Sequence, residues 1–224
     1  QVWVALSDAY RLQGQSSKAS EALLRAQEIQ GHNLLKLRQS LIALSRSERT
    51  SAIVFLRESA LQGSFGGPAL WFYAQLSLGT EWEALARNDL SHFRQSIHSP
   101  RAAYDFLAGS YFLLGEVELA QQLSSRGRER DCEQIEDATA RINCNAWYDA
   151  LIGEDLNKNI SKMTKVVSRF PGRSDYLDTL SVLHRSAGNH KEAAHFAQKA
   201  LLFGGDDGYM HWQASVDQWI NVDR

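Results

Sequence analysis

Nothing in the 224-residue chain runs for 18 apolar residues without interruption, so no transmembrane segment is expected in it. Prolines number only three, at Pro68, Pro100 and Pro171, and long stretches are therefore free of a residue that would break a helix. β-Branched residues are sparse. The one Asp-Gly dipeptide, Asp207-Gly208, stands between helix-like segments and not between alternating runs, so the hairpin signal of a β protein is missing. Charge of neither sign dominates, with 24 Lys and Arg against 26 Asp and Glu. That balance argues against a nucleic-acid partner, which needs a dense positive field. Also missing are a phosphate-cradling glycine loop, a Gly-x-Ser-x-Gly elbow and a His-Glu-x-x-His pair. The chain accordingly reads as no enzyme, and no cofactor or metal is implied.

What is present favours helix. Ala, Leu, Gln, Glu and Arg are abundant, and these side chains lose little rotamer freedom in a helix. Gly14, Gly79, Gly115, Gly153 and Gly188 each end one helix-like run and precede another, at spacings of 65, 36, 38 and 35. The first spacing is near twice the others, so a turn without its glycine is expected near Arg46 to Glu48. A period in the mid-thirties indicates a tandem helix-turn-helix array. Thr80-Glu81-Trp82-Glu83 and Asn189-His190-Lys191-Glu192 read as capping boxes, and Ser99-Pro100 as a helix start. Ala19, Ala22, Leu23 and Ala26 form an apolar stripe, as do Tyr104, Leu107, Ala108 and Tyr111, and Ile160, Met163, Val166, Val167 and Phe170. The pattern predicts helices over 2–13, 17–29, 32–44, 49–61, 68–78, 81–97, 100–114, 117–129, 134–152, 156–169, 174–187, 190–203 and 207–221.

Trp3, Leu6, Ser7 and Tyr10, followed by Ala19, Leu23, Ala26 and Gly31, resemble the tetratricopeptide repeat. So does the run Tyr104, Leu107, Ala108, Tyr111, Gly115 and Ala120, which departs from the pattern at Ser124 and Gly127. Leu177, Leu180, Gly188, Ala193, Ala197 and Ala200 form a third match, with His184 where the family places an aromatic residue. Three other repeats match by period alone. The resemblance implies an all-α fold of six hairpins spanning residues 1–224, with a final helix at 207–221, wound as a right-handed superhelix or α-solenoid. It also implies a concave groove, lined by the first helix of each pair, that receives a peptide or helix of a partner. Tyr10, Tyr104 and Tyr111 are the candidate lining residues. The family's clamp for a peptide terminus is absent, since Val4, Asp8, Asp105, Gly109, Asp178 and Val182 occupy its places.

Several other residues carry two readings each. His190 and His195, five apart, do not share a helix face, and His92 and His98 are six apart. The histidines are therefore expected to be structural or on the surface. Ser64-Phe65-Gly66-Gly67-Pro68 reads as a turn, although a helix start could hold an anion. Lys158, Lys162, Lys165 and Arg169 share a helical stripe, either as a docking strip for an acidic partner or as a solvated outer face. Tyr209, Trp212, Val216 and Trp219 form the sharpest apolar stripe. It is either a packed capping helix or an exposed aromatic ridge for a partner.

Cys132 and Cys144 are the only cysteines. On one straight helix they would stand about 18 Å apart, so a bridge needs Cys132 in an arm folded back on the next helix. Two buried free thiols are the other reading. The stretch around them, through Asp155-Leu156-Asn157, resembles small disulfide-bearing helical domains of secreted bacterial lysozyme inhibitors. The chain begins at Gln1 within a helical pattern and reads as a piece of a longer protein. The functional expectation is a protein-binding scaffold, such as a component of bacterial envelope assembly, secretion or polysaccharide export in the periplasm. The alternative is the targeting or regulatory part of an enzyme whose catalytic domain lies elsewhere, and the alternative to a periplasmic or otherwise extracytoplasmic location is the cytoplasm.

Overall fold

A computed structural model describes residues 2–30, 35–61, 66–95, 104–204 and 208–220. Among the described residues it contains thirteen α-helices and no strand. They are α1 (Val2–Leu12), α2 (Ser16–Gln30), α3 (Lys36–Ser45), α4 (Arg49–Leu61), α5 (Gly66–Ser77), α6 (Glu83–Gln95), α7 (Tyr104–Leu113), α8 (Val117–Asp131), α9 (Ala138–Ile152), α10 (Leu156–Arg169), α11 (Ser174–Ser186), α12 (His190–Gly204) and α13 (Gly208–Ile220). Gly31, Ser64, Phe65, His98, Ser99 and Pro100, to which the sequence assigned turns, caps or a histidine pair, lie outside the described residues.

Each odd-numbered helix from α1 to α11 ends on a left-handed residue. These are Gly14 (φ 73°), Ser47 (62°), Gly79 (70°), Gly115 (82°), Gly153 (73°) and Gly188 (78°). The glycine-free turn expected near Arg46 to Glu48 is therefore present, with a serine in the left-handed place. A β-carbon built on Gly115 or Gly188 meets nothing within 4 Å, so glycine serves the backbone angle there and not a tight space.

The chain packs as successive pairs. α1 lies on α2, α3 on α4, α5 on α6, α7 on α8, α9 on α10 and α11 on α12, and each even helix also touches the odd helix that follows it. Alanines permit the close approach within pairs: Ala19, Ala52, Ala86, Ala120 and Ala193 are fully buried. The first and sixth pairs repeat one hydrogen bond at the same 12-residue offset. Ser7 Oγ donates to the Ala19 carbonyl at 2.8 Å, and Ser181 Oγ to the Ala193 carbonyl at 2.8 Å.

Several helix starts differ from the sequence expectation, α3 beginning at Lys36 and not at 32 and α5 at Gly66 and not at 68, and two of the shifts have a visible cap. α6 begins at Glu83, not at 81. Glu83 Oε2 accepts from the Gly79 amide at 2.9 Å while Thr80 Oγ1 accepts from Trp82 N at 3.2 Å, so both donors lie one residue earlier than in the expected capping box. α9 begins at Ala138, not at 134, because Asp137 takes the Ala140 amide at 2.6 Å and ends an irregular arm.

The last helix packs on α12 and reaches well beyond it. α13 lies along a face built by the odd-numbered helices, touching α3 by backbone proximity and the other five through side chains. Leu41, Leu56, Phe72, Tyr73, Leu180, Trp212 and Val216 belong to one buried apolar cluster, so α13 is part of the main core.

Candidate functional site

The inner face begins with α5, whose sequence holds Trp71, Phe72 and Tyr73 in a row. Three successive aromatics point to three directions around a helix, so α5 cannot be apolar on one side only. Tyr73 turns outward to the α4–α6 side, where its hydroxyl donates to Asp89 Oδ2 at 3.1 Å. Arg57 holds the same carboxylate at 2.6 Å. Phe72 turns inward and stacks on Trp212 of α13 with ring centroids 4.4 Å apart. Tyr209 lies 5.8 Å from Phe72, 5.8 Å from Phe106 of α7 and 6.4 Å from Trp147 of α9. Trp147 is oriented from behind, since its indole N–H donates to Asp105 Oδ2 at 2.9 Å. Burial pushes the Asp105 carboxyl up, against the pull of that indole and of nearby backbone amides.

Polar groups secure α13 at both ends of this aromatic floor. Toward α11, Tyr209 Oη donates to Asp178 Oδ2 at 2.8 Å and accepts from Gln213 Nε2 at 2.7 Å. Burial raises the Tyr209 hydroxyl well above its ordinary range, and the Asp178 carboxylate adds to the effect. Arg185 Nη1 donates to Gln213 Oε1, and its Nη2 reaches the Gln213 carbonyl at 3.1 Å. Toward α1, Arg11 Nη1 donates to Ser215 Oγ at 3.1 Å and Nη2 to His211 Nδ1 at 3.2 Å. His211 Nε2 stands 3.2 Å from Asp8 Oδ2, which also accepts from Arg38 Nε at 2.8 Å. An arginine is always a donor, so Nδ1 of His211 accepts and Nε2–H donates. Burial lowers the Arg11 guanidinium, Asp8 counters this and Arg38 adds to it.

The residues singled out from sequence are distributed elsewhere. Tyr10 is half-buried in a cleft with Trp3, Leu6 and Ala22, under the Lys18 ammonium at 5.5 Å. Tyr104 lies beneath the Arg130 guanidinium at 4.7 Å. Tyr111 is buried against Leu114 and Leu119, beside Arg94. Burial raises its hydroxyl and Arg94 opposes that. Tyr10 and Tyr104 meet the second helix of their own pair, and Tyr111 lies between its pair partner α8 and α6 of the preceding pair. The residues that meet α13 are instead Asp8, Arg11, Phe72, Phe106, Trp147, Asp178 and Arg185. Trp212 is fully buried and forms no external ridge. The side chain of Trp219 lies outside the described residues.

Lys158, Lys162 and Lys165 are exposed on α10, with Lys158 paired to Asp155. His184 stacks on Phe196 at 5.5 Å, and burial lowers its imidazole. No cluster of three or more His, Cys, Asp or Glu suited to a metal ion occurs among the described residues.

Cys132 and Cys144 are at disulfide distance, their Cα atoms 5.5 Å apart. The arm from Cys132 to Asp137 folds back onto α9, which is the geometry a bridge requires. Beside it Tyr148 crosses Gly127 of α8, where a β-carbon would stand 2.4 Å from the phenolic oxygen, and donates to Asp131 Oδ2 at 2.6 Å. This accounts for the glycine at which the fourth repeat departs from the family pattern.

The aromatic floor is not marked by the motif positions of the repeat. The available signal was different: α5 and α7 carry apolar residues around their whole circumference, which demands cover on two sides. No known family model matches the chain, and no curated protein matches it.

Proposed function

We propose that the chain is a non-enzymatic scaffold of tetratricopeptide type, its helical pairs wound into a solenoid whose inner face holds a helical or peptide segment of a partner protein. One observation carries this reading. A helix, α13, already lies along that face and touches the odd-numbered member of every pair. A face that seats one amphipathic helix by stacked aromatics at its centre and hydrogen bonds at both ends has the anatomy of a helix-in-groove site.

The cysteine pair supports a place outside the cytoplasm, since disulfides persist in oxidising compartments. A bacterial envelope role in assembly, secretion or polysaccharide export is consistent with that chemistry. The exposed Lys158, Lys162 and Lys165 form a secondary docking strip for acidic surface in this reading.

The test is capture from envelope extract by the intact protein and by Phe106→Ser and Trp147→Ala variants of matched helicity. Captured proteins are identified and rebuilt from purified components. A partner retained by the intact chain and lost from both variants supports the inner face. A partner lost only when the three lysines become alanine moves the site to α10. Intact mass after alkylation under denaturing conditions, without reductant, tests the bridge independently.

A further inference from the structure

The two sides of α13 are held by different chemistry. On the α11 side, Asp178 accepts directly from the Tyr209 hydroxyl. On the α1 side, Arg11 is buried to 7% exposure and its two bonded nitrogens meet only neutral groups, the Ser215 hydroxyl and the His211 imidazole. Its third donor, Nε, is buried without a hydrogen-bond partner. The nearest carboxylate, Asp8, is engaged by Arg38 at 2.8 Å and by His211 at 3.2 Å. A buried guanidinium with an orphaned N–H and hydroxyl company is a site matched poorly by its present occupant. Guanidinium–carboxylate bonds are shorter and roughly twice as strong as neutral ones.

We propose that the inner face takes, in exchange for α13, an amphipathic helix of a partner protein that carries a carboxylate where α13 has Ser215. This rests on the inner-face reading and states the partner's chemistry. The occupant has aromatic residues at the places of Tyr209 and Trp212, a β-branched residue at that of Val216, and Asp or Glu at that of Ser215. The aromatic spacing is set by Phe72, Phe106 and Trp147, and the acidic position by Arg11. α13 then acts as an intramolecular stand-in, close enough in shape to keep the aromatic floor dry and weak enough on one side to be displaced. Such a tie fits the general pattern in which a covalently attached segment competes at high effective concentration with a better-matched ligand in solution.

The test uses the full chain and two labelled peptides with the sequence of residues 208–220, one native and one carrying Ser215→Asp. Binding is read by fluorescence anisotropy against the native chain and against a Gln213→Ala chain. That substitution loosens α13 by removing the Gln213 side-chain bond to Arg185 of α11 without opening a large cavity. In parallel, Ser215→Asp is placed in the chain itself and its melting temperature recorded. The acidic peptide is expected to bind about tenfold or more tightly than the native one, as one added charge-assisted bond implies. Ser215→Asp in the chain is expected to raise the melting temperature and suppress peptide binding. Equal binding of the two peptides overturns the acidic match and leaves the inner-face reading intact. Failure of both peptides on both chains, with helicity retained, overturns the inner-face reading and this proposal with it. A fall in melting temperature for Ser215→Asp shows that Arg11 cannot receive a carboxylate there and also overturns it.

Discussion

Ser47 holds the turn between α3 and α4 at φ 62°, a conformation that costs an L side chain about 1–2 kcal/mol. The five equivalent turns use glycine. Ser47→Gly is therefore expected to stabilise the chain by about 1 kcal/mol, allowing for the extra unfolded-state freedom of glycine, as a rise in the urea midpoint. A second residue-level expectation concerns Asp105. Its carboxyl is raised by burial, so the folded state binds that proton more tightly than the unfolded chain. The stability it contributes is present in full below the ordinary value of 3.8 and is lost as pH rises through the raised folded value. Asp105→Asn keeps an acceptor for the Trp147 indole and removes the charge. The variant should gain on the native chain in urea unfolding as pH rises toward neutrality. A difference that stays constant with pH would remove burial as the cause.

Among the elements, the arm between α8 and α9 depends on the cysteine pair. The arm has one short turn of its own, with the Ile135 amide on the Cys132 carbonyl at 3.2 Å, and a single side-chain cap at Asp137. Constraining a loop of this size stabilises by about 3 kcal/mol on the chain-entropy account. The double substitution Cys132→Ser with Cys144→Ser should cost that order in equilibrium unfolding. The loss should centre on the Tyr148–Asp131 contact and appear as early hydrogen exchange in α9. α10 is the contrasting element. Its apolar Met163 and Val166 face the core while Lys158, Lys162 and Lys165 face solvent. Single Lys→Ala changes there should move stability by under about 0.5 kcal/mol.

For the molecule as a whole, α13 joins helices of distant pairs into one apolar cluster, while the apolar residues of the first pair lie in a cluster with α3. Arg11 and Ser215 are 204 positions apart and hydrogen-bonded. Without α13 the six pairs interact with near neighbours, and stability is the sum of local interfaces. With it, distant pairs share one apolar cluster. Trp212→Ala removes the largest fully buried side chain and should cost about 3–5 kcal/mol. It should also lower hydrogen-exchange protection in α1, α5 and α11 together. A loss confined to α12 and α13 would show that the helix is only an end cap.

The helical class, the pairing and the turn near residue 47 were legible along the chain because each is a local matter. Glycine at a left-handed turn, alanine at a close crossing and apolar spacing of three and four act within about 35 residues. The apolar stripe of α13 was legible too, as was the geometry a Cys132–Cys144 bridge would demand. Where that stripe would go was not. Its seat depends on α1 and α11 facing the same space, and no single spacing records that. Asp8, Arg11, Phe72, Phe106 and Trp147 acquire a shared role from that closure alone, each contributed by a different turn of chain. Local chemistry set the pieces and long-range packing chose which of their faces became interior.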